Sequence, residues 1–152
     1  MRLETTGKLK VVIDTNTIIS APFSDESNPA RIFELLLLEE IINFTSAAII
    51  AEIKEVFARD KIKRNIAEEK IRFIIESYLK YSKQVTPLIK LNVITEDPED
   101  NIILECAETA RVNYIISGND HLKNLKSYKG IKIVSPKTFI EIYISSLDAN
   151  SE

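Results

Sequence analysis

Leu9-Lys10-Val11-Val12-Ile13-Asp14-Thr15-Asn16-Thr17-Ile18-Ile19 is the stretch that decides the fold. From Leu9 to Ile13 only Lys10 interrupts an apolar, mostly β-branched run, and the run stops on an acid. Near-continuous apolar character, rather than strict alternation, marks a strand covered on both faces. The spacing therefore predicts a central parallel strand that ends at Asp14. Thr15, Asn16 and Thr17 add further oxygen-bearing groups at the same strand tip.

Outward from this strand, the chain alternates. Asn28-Pro29 reads as a helix start, with Asn28 as cap and Pro at the first helical position, and the helix covers Ala30 to Leu38. Ile41 to Phe44 reads as a strand, and Thr45 or Ser46 caps a helix running to about Ala58. The basic stretch Arg59, Lys61, Lys63 and Arg64 follows, then a helix break near Asn65 and a helical pattern from Ala67 to about Lys80. A third strand is expected within Leu88 to Ile94, and Asp97-Pro98-Glu99-Asp100 opens a helix ending near Ala110. Tyr114 to Ile116 and Ile131 to Val134 read as strands, and Asn119 as the cap of a short helix starting around Asp120. Ser135-Pro136 caps a last helix that ends near Ser145, and the chain from Asp148 onward reads as a frayed polar tail. Alternating strands and helices of this kind predict one three-layer α/β/α sandwich with a mostly parallel sheet of about five strands.

Composition narrows the chemistry. A chain of 152 residues, 45% of them apolar, has the size and make-up of a single globular domain. Its 20 basic and 23 acidic residues leave a net charge of -3, which weighs against tight, non-specific coating of DNA but leaves room for a local basic patch. One cysteine and one histidine exclude an intrachain disulfide and a zinc site built from several Cys or His ligands. A divalent ion would have to be held by carboxylates, which suits Mg2+ or Mn2+. No signal-like segment and no apolar run of membrane-spanning length is present, so the expected setting is cytoplasmic, with no membrane partner.

In open parallel sheets, chemistry gathers at the carboxyl ends of the strands. Asp14 sits at one such end. Glu52 lies beside the apolar stripe Ile49, Ile53 and Val56, which leaves two readings: a group turned toward the sheet edge, or a boundary ion pair with Lys54 or Arg59. Asp97 and Asp100 have the spacing of a capping box, a role compatible with metal binding because a helix N-terminus keeps a carboxylate ionised. Ser117-Gly118-Asn119-Asp120-His121 follows the fourth strand, and for His121 a structural or phosphate-contacting role is favoured over general-base work. Carboxylates crowded together resist ionisation, and a divalent ion removes that penalty.

The ordered set resembles the PIN domain family over nearly the whole chain, Lys8 to Ser145. The matching stretches are VVIDTNTIISA from Val11, EIKEVFAR from Glu52, EDPEDNIILECAETARVNYIISGNDHL from Glu96 and YKGIKIVSPKTFIEI from Tyr128. The resemblance is nearest to the bacterial and archaeal toxin components of toxin–antitoxin systems, the VapC-like ribonucleases. It implies strand order 3-2-1-4-5, a single PIN-like domain over residues 1–147 and a polar tail over 148–152. It also implies an Mg2+- or Mn2+-dependent endoribonuclease. Asp14, Glu52 and Asp100 match the family's acids, and Asp97 matches an accessory acid. The fourth acid usually follows the Gly directly. Here that residue is Asn119, a neutral carbonyl donor, with Asp120 next as a possible substitute.

On this reading Asp14 and Asp100 hold the principal ion, Glu52 coordinates it or orients water, and Asn119 or Asp120 completes a weaker second position. Asn16 and Ser117 fix carboxylates or water, and Arg59, Lys61, Lys63, Arg64, Lys123 and Lys126 supply RNA backbone contacts. An antitoxin partner and a homodimer are implied by the resemblance. Three alternatives compete. A phosphatase with an Asp nucleophile would want a second Asp where Asn16 stands, and a phosphate-accepting signalling domain would want paired acids upstream of the acceptor. A PIN-like RNA-binding or protein-interaction module with weak or no catalysis is the third, because Asn119 replaces an acid.

Overall fold

The structure, a computed structural model, describes residues 7–94 and 100–150. Six strands form one sheet: β1 (Lys10–Ile13), β2 (Ile42–Thr45), β3 (Ser82–Gln84), β4 (Tyr114–Ile116), β5 (Ser127–Tyr128) and β6 (Ile131–Val134). Their order is β3-β2-β1-β4-β6-β5. All neighbours are parallel except β5 and β6. The expected 3-2-1-4-5 order is present, with Ile131–Val134 in the fifth place and the two-residue β5 added outside it. The helices are α1 (Thr15–Ser20), α2 (Asn28–Leu37), α3 (Ala47–Phe57), α4 (Asp60–Asn65), α5 (Glu68–Tyr81), α6 (Asn101–Ala110), α7 (Asp120–Lys123) and α8 (Pro136–Asn150). No helix among the described residues is long and apolar enough to cross a membrane.

β1 is covered on both faces, as its sequence requires. Val11, Val12 and Ile13 alternate in direction, yet all three are fully buried. Ile115 and Ile116 of β4 are equally buried. The helices present matching stripes: Ile32, Phe33 and Leu36 on α2, Ile49, Ile53 and Phe57 on α3, and Ile103, Leu104 and Ala107 on α6. Cys106 lies in the same core, where burial pushes its thiol up to about 12 and keeps it chemically silent.

Two local readings are corrected, one alternative is decided and one helix is added. The cap of α2 is Ser27, whose Oγ accepts the Ala30 amide at 3.2 Å, so Asn28 is already helical. Ser46, not Thr45, caps α3 by accepting the Ile49 amide. A helix, α1, begins directly after Asp14. The last helix runs to Asn150, past the expected end at Ser145.

The third strand is also displaced. It lies at Ser82–Gln84, directly after α5, and is polar because it is an edge strand with little to bury. The apolar stretch in which it was expected, Leu88 to Ile94, joins no sheet. Side chains of α6 take its backbone instead. Asn101 Oδ1 accepts the Val93 and Ile94 amides at 3.1 and 3.0 Å, and its Nδ2 donates to the Ile94 carbonyl at 2.9 Å. Glu105 accepts the Leu91 amide at 2.9 Å. Asn101 thus plays the part of a neighbouring strand for one residue pair.

A second buried amide binds the sheet below the strand ends. Asn43, fully buried in β2, accepts the Ile13 amide at 3.0 Å and donates to the Ser82 hydroxyl at 2.9 Å. Tyr78 of α5 donates to Thr45 at 2.7 Å beside it. Asn43→Leu keeps the branching and number of side-chain heavy atoms but orphans the buried Ile13 amide, and is expected to cost about 1–3 kcal/mol of unfolding free energy. Urea denaturation followed by circular dichroism measures this, and an unchanged midpoint would contradict it. Asn101→Ala is expected to speed amide exchange at Val93 and Ile94 selectively, with the β1 amides unchanged.

Candidate active site

The parallel register of β1 and β4 builds the centre of the site. Ile13 stands opposite Ile116, so the next residues, Asp14 and Ser117, leave the sheet side by side. The Asp14 amide donates to the Ile116 carbonyl at 2.9 Å, and the Ser117 hydroxyl donates to Asp14 Oδ2 at 2.7 Å. Both side chains are buried. Burial pushes the Asp14 carboxyl up to about 6. The Ser117 hydrogen bond opposes this, the charges of Asp100 and Glu52 add to it, and the Thr15 backbone opposes it again.

Glu52 reaches the site from α3, the helix that follows β2 on the other side of β1. Its Oε1 accepts the buried Thr15 hydroxyl at 2.6 Å. The ion pair with Arg59 does not form, because Arg59 pairs with Glu55 at 2.9 Å. Thr15 is the positioning group that sequence reasoning passed over. Its signal was present in the three oxygen-bearing residues after Asp14, but only the helical geometry of α1 turns Thr15 inward and leaves Asn16 exposed.

Asp100, 8% exposed, directly precedes α6 and makes no side-chain cap to it. Asn119 donates through Nδ2 to both Asp100 oxygens, at 3.2 and 3.1 Å. His121 Nδ1 lies 3.6 Å from Asp100 Oδ2. Asn119 also caps α7 as expected, its Oδ1 accepting the His121 amide at 2.7 Å, while its own amide donates to Ser117 Oγ at 2.9 Å. Asp120 is turned away: its side chain is 86% exposed and meets Lys123 at 3.7 Å. Asp97, the expected partner in the capping box, lies outside the described residues. Lys61, Lys63 and Arg64 are exposed or half-exposed on and around α4, and Lys126 is exposed after α7.

Asp14, Glu52 and Asp100 therefore share a field at the carboxyl edge of the sheet, strongly enough for the latter two to shift the first. Among the described residues no three Asp, Glu, His or Cys side chains close around one point. That donor set fits Mg2+ or Mn2+ better than Zn2+. Mg2+ in particular keeps several waters and takes one or two carboxylates together with substrate phosphate oxygens, rather than an all-protein cage.

Fold and site together define an α/β domain with acids at and beside the carboxyl ends of its parallel strands. The PIN domain family profile matches residues 10–121, and the chain belongs to the PIN domain family, whose members are generally nucleases that use divalent metals. The uncharacterized protein MJ1680 of Methanocaldococcus jannaschii is 30% identical over 143 residues, spanning 88% of this chain and 91% of that protein. The fold is shared with a chain in the crystal structure of VapBC2 from Rickettsia felis bound to a DNA fragment from their promoter. The TM-score is 0.57 and the identity 13%, covering 84% of this chain and 98% of that chain.

The raised Asp14 carboxyl carries a signed consequence. A folded value near 6 against an ordinary 3.8 means that the metal-free fold favours the protonated acid. The ionised form then costs about 3 kcal/mol above pH 6, at 1.36 kcal/mol per tenfold change, and the cost disappears as pH falls below 3.8. Asp14→Asn mimics the protonated acid. It is expected to stabilise the protein in EDTA at pH 7.5 by about 1–3 kcal/mol, and to give no gain near pH 3.5. Urea melts at the two pH values measure this, and an equal effect at both would refute the assignment.

Proposed function

We propose that this protein is a metal-dependent endoribonuclease, the toxin component of a toxin–antitoxin pair. The observation that carries the reading is the hydrogen-bonded chain Asp14–Ser117–Asn119–Asp100 at the strand ends, with Glu52 brought beside Asp14 by Thr15, in a PIN domain. Asp14 and Asp100 would hold Mg2+ or Mn2+, with Glu52 held by Thr15 as a third oxygen donor or as the group that orients water. The bound ion would supply Lewis-acid polarisation of the phosphodiester and charge neutralisation of the leaving oxygen.

The chain's own residues prepare that chemistry. Ser117 fixes the rotamer of Asp14, and Asn119 fixes that of Asp100. Burial of Asp14 excludes water from its carboxylate. Lys61, Lys63, Arg64 and Lys126 supply exposed positive charge for the RNA backbone. Asp120 contributes to the surface beside the site rather than to the acid cluster. Water as nucleophile leaves 5′-phosphate and 3′-hydroxyl ends. The pairing with an antitoxin is supported by the shared fold with the VapBC2 complex, and a homodimer is the assembly that accompanies this reading.

One observation favours a second reading, an RNA-binding module with weak catalysis: the family's fourth acid is Asn119, and its amide nitrogen rather than its oxygen faces Asp100. Cleavage of single-stranded RNA separates the two. The nuclease is expected to cut with Mg2+ or Mn2+ and to stop with EDTA. Asp14→Asn is expected to lower the rate at least about 1000-fold with an unchanged circular dichroism spectrum, as loss of an essential electrostatic group does. RNA retention without cutting by pure wild-type protein, across varied sequences, would favour the binding module.

A further inference from the structure

Asn119 occupies the position of an acid but is wired as a donor. Its orientation is fixed from both sides. The His121 amide requires an acceptor and receives Oδ1 at 2.7 Å, while the Asp100 carboxylate requires a donor and receives Nδ2 at 3.2 and 3.1 Å. Turning the carboxamide over would set an oxygen against a carboxylate and an NH2 group against an N–H, losing all three bonds. The Asn119 backbone amide donates to Ser117 Oγ, and Ser117 donates to Asp14. One residue thereby ties together the two acids that stand on either side of the centre.

We propose that Asn119 is a positioning residue that makes this a one-ion centre. It clamps Asp100 to the Ser117–Asp14 pair and withholds the carboxylate that a second cation would need. The inference rests on the metal-dependent reading above and specifies its stoichiometry. Charge supports it. Among the described residues, the acids of the site are Asp14, Glu52 and Asp100, whose three formal negative charges neutralise one divalent ion with one charge left over. Asp120, the nearest replacement acid in sequence, spends its carboxylate in solvent beside Lys123. Asn119 Nδ2, which carries positive partial charge, stands against Asp100 where an acid would offer an oxygen.

Two substitutions separate the clamp from the cap. Asn119→Ser and Asn119→Asp both keep an oxygen able to cap α7 and both keep the backbone amide on Ser117. The first removes only the donor to Asp100, and the second replaces it with an acid. Mn2+ titration of metal-free protein, read by loss of the free-ion electron paramagnetic resonance signal, counts the bound ions directly and needs no RNA. The wild type is expected to bind one Mn2+, Asn119→Asp two, and Asn119→Ser one with affinity lowered about 10- to 100-fold, the usual effect of removing a group that orients a ligand. Two ions in the wild type, one in Asn119→Asp, or wild-type affinity in Asn119→Ser would overturn the positioning role while leaving the nuclease reading intact. No Mn2+ bound by the wild type would overturn the metal reading and this inference together. If either variant does not fold, the wild-type count still decides, one ion supporting the proposal and two overturning it.

Discussion

The structure depends on keeping a carboxylate at the end of a fully buried strand. Asp14 inherits its burial from Val11, Val12 and Ile13, which have to be covered on both faces, so the chain reaches Asp14 before it reaches water. An ionised group there is expensive unless it is hydrogen-bonded or paired. The fold answers first with the Ser117 hydroxyl, delivered by the register of β1 and β4. It leaves the rest of the cost standing, which is why the acid remains well above its ordinary value. On the proposed metal-dependent reading, a bound cation would relieve that residual cost.

The surrounding architecture serves the same point. Asn43 locks the ends of β1, β2 and β3 together one residue below Asp14. Asn101 holds the stretch Val93 to Ile94 against the start of α6, next to Asp100. Thr15 holds Glu52, and Asn119 holds Asp100. Each of these residues is polar, and each is buried or half-buried in a place where its bonds are made inside the protein. A site built from three acids on three different segments needs such fasteners, because neither local chain geometry nor strand register fixes one acid against another.

The central fold was legible in the sequence wherever burial leaves a continuous apolar run or a cap. β1, β4 and β6, the end of α6 and the Asn119 cap of α7 are of this kind. The third strand was not legible, because an edge strand is chosen by where α5 delivers the chain and not by its own polarity. The apolar stretch Leu88 to Ile94 misled for the complementary reason: its backbone is satisfied by side chains, a partner that local patterning does not reveal. Ser27 displaced Asn28 as a cap because either residue can do the work, and the geometry of one turn selects between them.

The sequence by itself determined the chemical type of the candidate site: oxygen-bearing side chains, no thiolate or imidazole cluster, and acids following apolar strands. Residue types and their distance from strand ends carry that information without any contact being known. Only the tertiary structure decided which neighbours each acid meets. Asp120 and Asn119 are adjacent in sequence, yet one faces solvent and the other lies across the buried Asp100. Thr15 and Asn16 divide in the same way, one on Glu52 and one exposed. Direction is the reason. A helix turns successive side chains by about 100°, so adjacent residues with similar chemistry receive opposite roles as soon as one face of the helix is buried.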